Sequence, residues 1–304
     1  MPIAITEEQQ RQFEEDGFFL IEDLLSPDEI AHLIQAIDVL DTHYRKLENI
    51  GPAEAFQLRN AVAQHEAFFP LMDHPAMLPL IVDLLGCNIQ IRTSHMDVRP
   101  PISAEHANKK LGVRGSFFPW HSDGPTGGPN FGYPITKGIV PFIEIKLGYY
   151  LTDLTEHNSV SICVVRGSHK MSPELLYGEG YEVPEDKIFE VNVKAGTAMV
   201  WRTALWHCLT PNLTSRTRKC LYYGYHHRWI RPSDYMHQDP ALIARCTPIQ
   251  KQLLGELGTG DTNYSGDNLA QPAATRYWHP QEGDVPLQTW MEAQEQKQHD
   301  KAAS

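Results

Sequence analysis

The chain has 304 residues, with 38 Asp and Glu against 26 Lys and Arg, for a formal net charge of −12. That acidic balance excludes broad nucleic-acid binding and adhesion to anionic membranes, both of which need a basic surface. A hydrophobic fraction of 41% and a charged fraction of 21% suit a soluble globular protein with a large core. The five cysteines are odd in number and match no zinc or redox spacing, so reduced thiols in a cytoplasmic protein are expected. The opening MPIAITEEQQRQFEEDG is too acidic for a signal peptide, and no apolar run approaches the roughly 18 residues of a membrane span.

The spacing predicts a short helix over 6–16 and an apolar strand over 17–21. Ser26, Pro27 and Glu29 then form a capping-box start, and Ile30, Leu33, Ile34 and Ile37 follow on one helical face. A further helix is expected over 75–86, ended by Gly86. From Asn88 the texture changes. Segments 88–98, 144–151, 159–165, 188–193, 197–202 and 219–228 are short, rich in β-branched and aromatic residues, and separated by turn formers. Residues 235–257 again read as helical. The expected fold class is mainly β with flanking helices, a jelly-roll core. It is one domain over 1–304, with helical support over 1–87, the barrel over 88–230 and a helical or irregular extension over 231–304. Residues 124–141 carry five Gly and four Pro, a composition expected of a lid-like loop beside a site.

The chemistry centres on FFPWHSDGP. His121 and Asp123 are two apart, so on a strand they share a face, and an imidazole beside a carboxylate supplies two ligands of a 2-His-1-carboxylate site. An H-x-D pair is by itself common. Downstream, His207 lies at the end of a predicted strand and Arg218 at the start of the next, eleven residues later. A guanidinium suits a carboxylate because its planar fork pairs bidentately.

In that order and spacing the chain resembles the phytanoyl-CoA dioxygenase family. The shared pattern is His121/Asp123, the Gly167-Ser168-His169 element, Gly196, His207 and Arg218, together with FEEDGFFLIEDLLSPDEI near the start and IKLGYYLTDLTEHNSVSICVVRGSHK before and through Gly-Ser-His. The resemblance spans about residues 8–228. It implies a double-stranded β-helix of cupin-like type, Fe(II) held by His121, Asp123 and His207, and 2-oxoglutarate as cosubstrate with its far carboxylate on Arg218. It also implies O₂ as oxidant, release of succinate and CO₂, and oxidation of a C–H bond, with Asp123 favouring hydroxylation over halogenation. Thr93 is a candidate for the cosubstrate pocket, along with its neighbours Arg92, Ser94 and His95. Phe131, Tyr133 and Trp201 are candidates for substrate contact. Strand alternation and the family spacing set Arg218 ahead of Arg216. His169 is expected to be a turn residue, Trp120 and Trp206 packing residues, and His226, His227, Arg228 and Arg231 structural or surface groups. The expected partner is a small molecule, natural-product or lipid-like, with no nucleic acid or membrane. The alternatives are a metal-binding module without turnover and a cupin enzyme independent of 2-oxoglutarate.

Overall fold

The computed structural model describes residues 4–105, 107, 120–123, 142–176, 182–256 and 285–303. The expected loop 124–141, with Phe131 and Tyr133, lies outside these residues. The chain forms two compact units. The smaller comprises Met1–Thr6, Arg59–Ser94 and Tyr223–Ser304, and the larger Glu7–Leu58 and His95–Tyr222.

Helix α1 (Glu7–Glu15) leads into strand β1 (Phe18–Ile21), and helix α2 (Pro27–Glu48) follows. The Ser26 side chain accepts from the Glu29 amide while Glu29 reaches back to the Ser26 amide, so the capping box forms as the sequence specifies. Leu33, Ala36, Ile37 and Leu40 are the buried stripe of α2. The remaining strands are β2 (Phe56–Arg59), β3 (Ile89–Arg99), β4 (Glu144–Tyr150), β5 (Ile162–Val165), β6 (Ile188–Glu190), β7 (Ala198–Arg202), β8 (His207–Leu209) and β9 (Arg218–His227). A six-stranded sheet has the order β1-β7-β4-β9-β3-β2, and a three-stranded sheet the order β6-β5-β8. All nine strands contribute residues to the larger unit. Its core lies between the two sheets: Ile162 and Val164 from β5 meet Met199, Trp201, Tyr150, Cys220 and Tyr222 from the large sheet. This is the expected jelly roll of double-stranded β-helix type.

In the smaller unit, helix α3 (Leu78–Leu85) ends at Gly86, which adopts φ +79, as expected of a glycine stop. The Tyr223 and Tyr225 hydroxyls tie β9 to the carbonyls of Phe68 and Met72. The helical texture expected over 235–257 forms two short helices, Pro240–Ile243 and Pro248–Leu253. The cause is local: Asp239 and Thr247 each cap a new start, with a proline at the first turn. Among the described residues no helix is long and apolar enough to cross a membrane. All five cysteines are free thiols, and Cys163 and Cys208 face each other across β5 and β8.

His169 behaves as the turn residue expected of it. Its Nε2 meets the Glu14 carbonyl at 3.1 Å, tying the Gly-Ser-His turn to α1. Gly17, at φ +90, passes so close that a Cβ there would lie 2.5 Å from His169 Nδ1. Burial, with the Arg202 guanidinium nearby, pushes His169 from 6.5 down to about 4. A base whose folded pKa is depressed takes up its proton first in the unfolded chain, so stability falls as pH drops from 6.5 toward 4. Denaturant titration should show that decline, and His169→Gln should flatten part of it. An unchanged slope would contradict the assignment.

Candidate metal centre

Two features put the donor side chains together. Residue 207 does not end β7, as the sequence suggested, but opens the separate strand β8, because residues 203–206 turn between them. His121 and Asp123 do not sit on a regular strand either. His121 makes an isolated antiparallel bridge to His207, with amide-to-carbonyl bonds of 2.9 and 2.8 Å in the two directions. The Asp123 amide donates to the Thr203 carbonyl at 2.8 Å. The backbone thus pins the H-x-D segment directly against β8.

Ligating atoms of His121, Asp123 and His207 lie within 4.8 Å of one another. The imidazole centroids are 4.3 Å apart, and His207 Nε2 is 3.5 Å from Asp123 Oδ2. His207 Nδ1 contacts the Leu205 carbonyl at 2.9 Å. A carbonyl only accepts, so Nδ1 carries the proton and Nε2 turns its lone pair toward Asp123. Burial pushes His207 down to about 4, against the pull of Asp123, which keeps it neutral at pH 7. Burial alone would raise Asp123, but the Lys146 ammonium outweighs it and holds the carboxyl far below the usual range. A neutral imidazole and an ionised carboxylate are the protonation states that metal ligation requires. The donor set fits a divalent transition ion that takes imidazole and oxygen ligands.

Sequence reasoning missed Lys146. Its Nζ is 2.8 Å from Asp123 Oδ2, with side chains 9% and 14% exposed. It stands opposite Trp201 in the β4–β7 register and lies 5.6 Å from the Trp201 ring and 5.5 Å from the Tyr222 ring. The signal was present, since a lone cation in the otherwise apolar run after Glu144 must find a buried partner. Gly148, two residues on, leaves space for those rings, because a Cβ there would lie 3.0 Å from Tyr222 and 3.3 Å from Trp201.

Arg218 opens β9 as expected and is 1% exposed. It donates to Asp97 Oδ1 at 2.5 Å and to the Tyr222 hydroxyl. Asp97 also accepts from Arg99 and Gln57, and although burial works against it, the two guanidiniums bring it down to about 2. Two buried donors, Arg218 Nε and Trp201 Nε1, have no hydrogen-bond partner among the described residues. They suit a ligand bearing acceptor oxygens.

Trp201 stands edge-on to His207 at 6.1 Å. His95 lies against Tyr222 at 4.8 Å. All of these residues belong to the larger unit. Thr93 belongs to the smaller unit, where its hydroxyl donates to Asp234 at 2.6 Å. Arg216 is half-exposed and pairs with Glu156. Trp120 and Trp206 pack on each other at 5.6 Å, as expected of packing residues. His226 is buried near Gln90, and His227 stacks on Trp229.

The family model for phytanoyl-CoA dioxygenase matches residues 13–220. The ectoine dioxygenase of Bordetella parapertussis is 26% identical over 174 residues, 55% of this chain and 50% of that enzyme, so the match spans about half of that relative's length. The ectoine dioxygenase of Sphingopyxis alaskensis is 24% identical over 273 residues, 79% of this chain and 83% of that enzyme. Among solved structures, HygX from Streptomyces hygroscopicus with nickel and 2-oxoglutarate bound aligns with a TM-score of 0.57 at 18% identity, covering 75% of this chain and 90% of that one. The carbocyclase SnoK from nogalamycin biosynthesis aligns at 0.55 with 19% identity, covering 80% and 92%. These structures share the fold.

Removing one member of the Asp123–Lys146 pair leaves a buried charge uncompensated, which costs about 3–5 kcal/mol. In metal-free protein, Asp123→Leu should therefore lower the unfolding free energy by about that amount. Adding Lys146→Met should recover most of the loss. Equal stability of the single and double variants would refute the pairing.

Proposed function

The chain belongs to the phytanoyl-CoA dioxygenase family, and on that footing we propose that it is an Fe(II)- and 2-oxoglutarate-dependent dioxygenase that oxidises a C–H bond of a small molecule. The observation that carries this reading is the convergence of His121, Asp123 and His207 within 4.8 Å, with His207 Nε2 directed at Asp123. These three side chains would hold the iron. When bound, iron with 2-oxoglutarate and O₂ supplies oxidative decarboxylation to succinate and CO₂ and the oxidising power for the C–H bond.

The protein's own residues bind, orient and exclude water. The Leu205 carbonyl fixes the His207 ring and its tautomer. Arg218 receives the far carboxylate of the cosubstrate. Asp97 and Tyr222 hold the guanidinium in place while Nε stays open to a further acceptor. Trp201, Tyr222 and Tyr150 belong to one buried apolar cluster of the larger unit. Trp201 also stands near enough to His207 to border the substrate space.

The two ectoine dioxygenases are named for ectoine, and a structure of HygX holds hygromycin B. Both molecules are small and polar. They support a soluble small-molecule substrate of natural-product type over a lipid. One observation favours a module without turnover: an ammonium already occupies Asp123. Cosubstrate chelation separates the two readings.

Anaerobic Fe(II) with 2-oxoglutarate should give the weak visible charge-transfer band of a chelated 2-oxo acid. His207→Ala should abolish it. Arg218→Ala should weaken 2-oxoglutarate binding by about 1.5–3 kcal/mol, the worth of a charge-assisted hydrogen bond. Metal binding without any such band would sink the oxygenase reading.

A further inference from the structure

The cation on Asp123 bonds the same oxygen that faces the distal histidine. Lys146 Nζ is 2.8 Å from Asp123 Oδ2, and that atom is 3.5 Å from His207 Nε2. Of the two carboxylate oxygens, Oδ2 is the one that faces His207 Nε2 and so is placed to share an ion with that nitrogen. An ammonium and a dication cannot both sit against that oxygen without strong repulsion.

The lysine has somewhere else to go. Its stem is flexible, and its head already lies over the inner-face rings of Trp201 and Tyr222. The Arg218 guanidinium carbon is 5.5 Å from the same Tyr222 ring. Lys146 and Arg218 therefore both border one aromatic platform. Asp97 is shared between Arg218 and Arg99, so it offsets the Arg218 charge only in part. The buried cations Arg99, Lys146 and Arg218 are paired with the carboxylates Asp97 and Asp123, and Glu144 is buried two residues from Lys146 on β4. A dication entering this group without an accompanying anion would repel the nearest cation, Lys146.

The geometry points to Lys146 as an exchangeable cation: it pairs with Asp123, and a bound metal ion together with 2-oxoglutarate would draw it to a cosubstrate carboxylate, coupling the two binding events. This inference rests on the oxygenase reading. It assigns to Lys146 and Arg218 jointly the recognition of a dicarboxylate, and it makes metal binding weak until the cosubstrate is present. By linkage the coupling is reciprocal, so each ligand tightens the other by the same factor.

Calorimetric titration of the full chain with Co(II), with and without 2-oxoglutarate, tests it on wild type, Lys146→Met and Lys146→Arg. Methionine keeps the length and the apolar contacts with the two rings, and arginine keeps the charge. Lys146→Met should bind Co(II) alone about tenfold tighter than wild type, a conservative share of one near charge. It should also lose most of the tightening that 2-oxoglutarate confers. Lys146→Arg should stay close to wild type on both counts. If Lys146→Met binds Co(II) no tighter and keeps the full cosubstrate effect, while wild type still forms the Fe(II)–2-oxoglutarate band, this inference alone is overturned. If wild type forms no band and shows no cosubstrate effect, the oxygenase reading falls and takes this one with it.

Discussion

A carboxylate removed from water must be met by opposite charge or else take up a proton. Asp123 is met. Lys146 bonds it, His207 faces it, and the backbone of 121–123 is pinned to residues 203 and 207 by three amide hydrogen bonds. The electrostatics and the backbone pairing depend on each other. Without the bridge between residues 121 and 207 the carboxylate would not reach the lysine, and without the lysine its burial would cost several kcal/mol. The rest of the larger unit is arranged to keep that carboxylate ionised and in place.

The two sheets divide the labour. The small sheet delivers His207 on β8, and the H-x-D segment bridges to it. The large sheet delivers the cations from neighbouring strands, Lys146 on β4 and Arg218 on β9, with Trp201 on β7 beside them. Tyr222 stands between these groups, touching Arg218 through its hydroxyl and lying near Lys146 through its ring. The missing side chain of Gly148 is part of the same design, since any larger residue would press on both rings. A second charged layer supports the first. Asp97, itself held by Arg99 and Gln57, bonds Arg218, and an anchored guanidinium receives a carboxylate better than a mobile one.

Much of this was legible in the sequence, and the reasons are specific. His121, Asp123, His207 and Arg218 could be picked out because their order and spacing resemble a family pattern, not because a local rule joins them. Helix α2 could be read because its capping box is complete within four residues. The partners of these residues could not be read, because they come from distant strands. Asp97 meets Arg218 across 121 positions, and Lys146 meets Asp123 across 23. Thr93 shows the same limit. Its hydroxyl bonds Asp234, 141 residues away, through a pairing no local pattern reports. The split of the helical stretch over 235–257 is different, because Asp239-Pro240 and Thr247-Pro248 are start signals written in the sequence and outweighed there by the general helical texture.

The central claim is that His121, Asp123 and His207 form one metal seat whose carboxylate also pairs with Lys146. A crystal structure of the protein grown anaerobically with Mn(II) and 2-oxoglutarate tests it most directly. The account predicts the ion bound by those three side chains, with Lys146 turned from Asp123 toward a cosubstrate carboxylate. An ion bound elsewhere, with Lys146 still paired to Asp123, would contradict it.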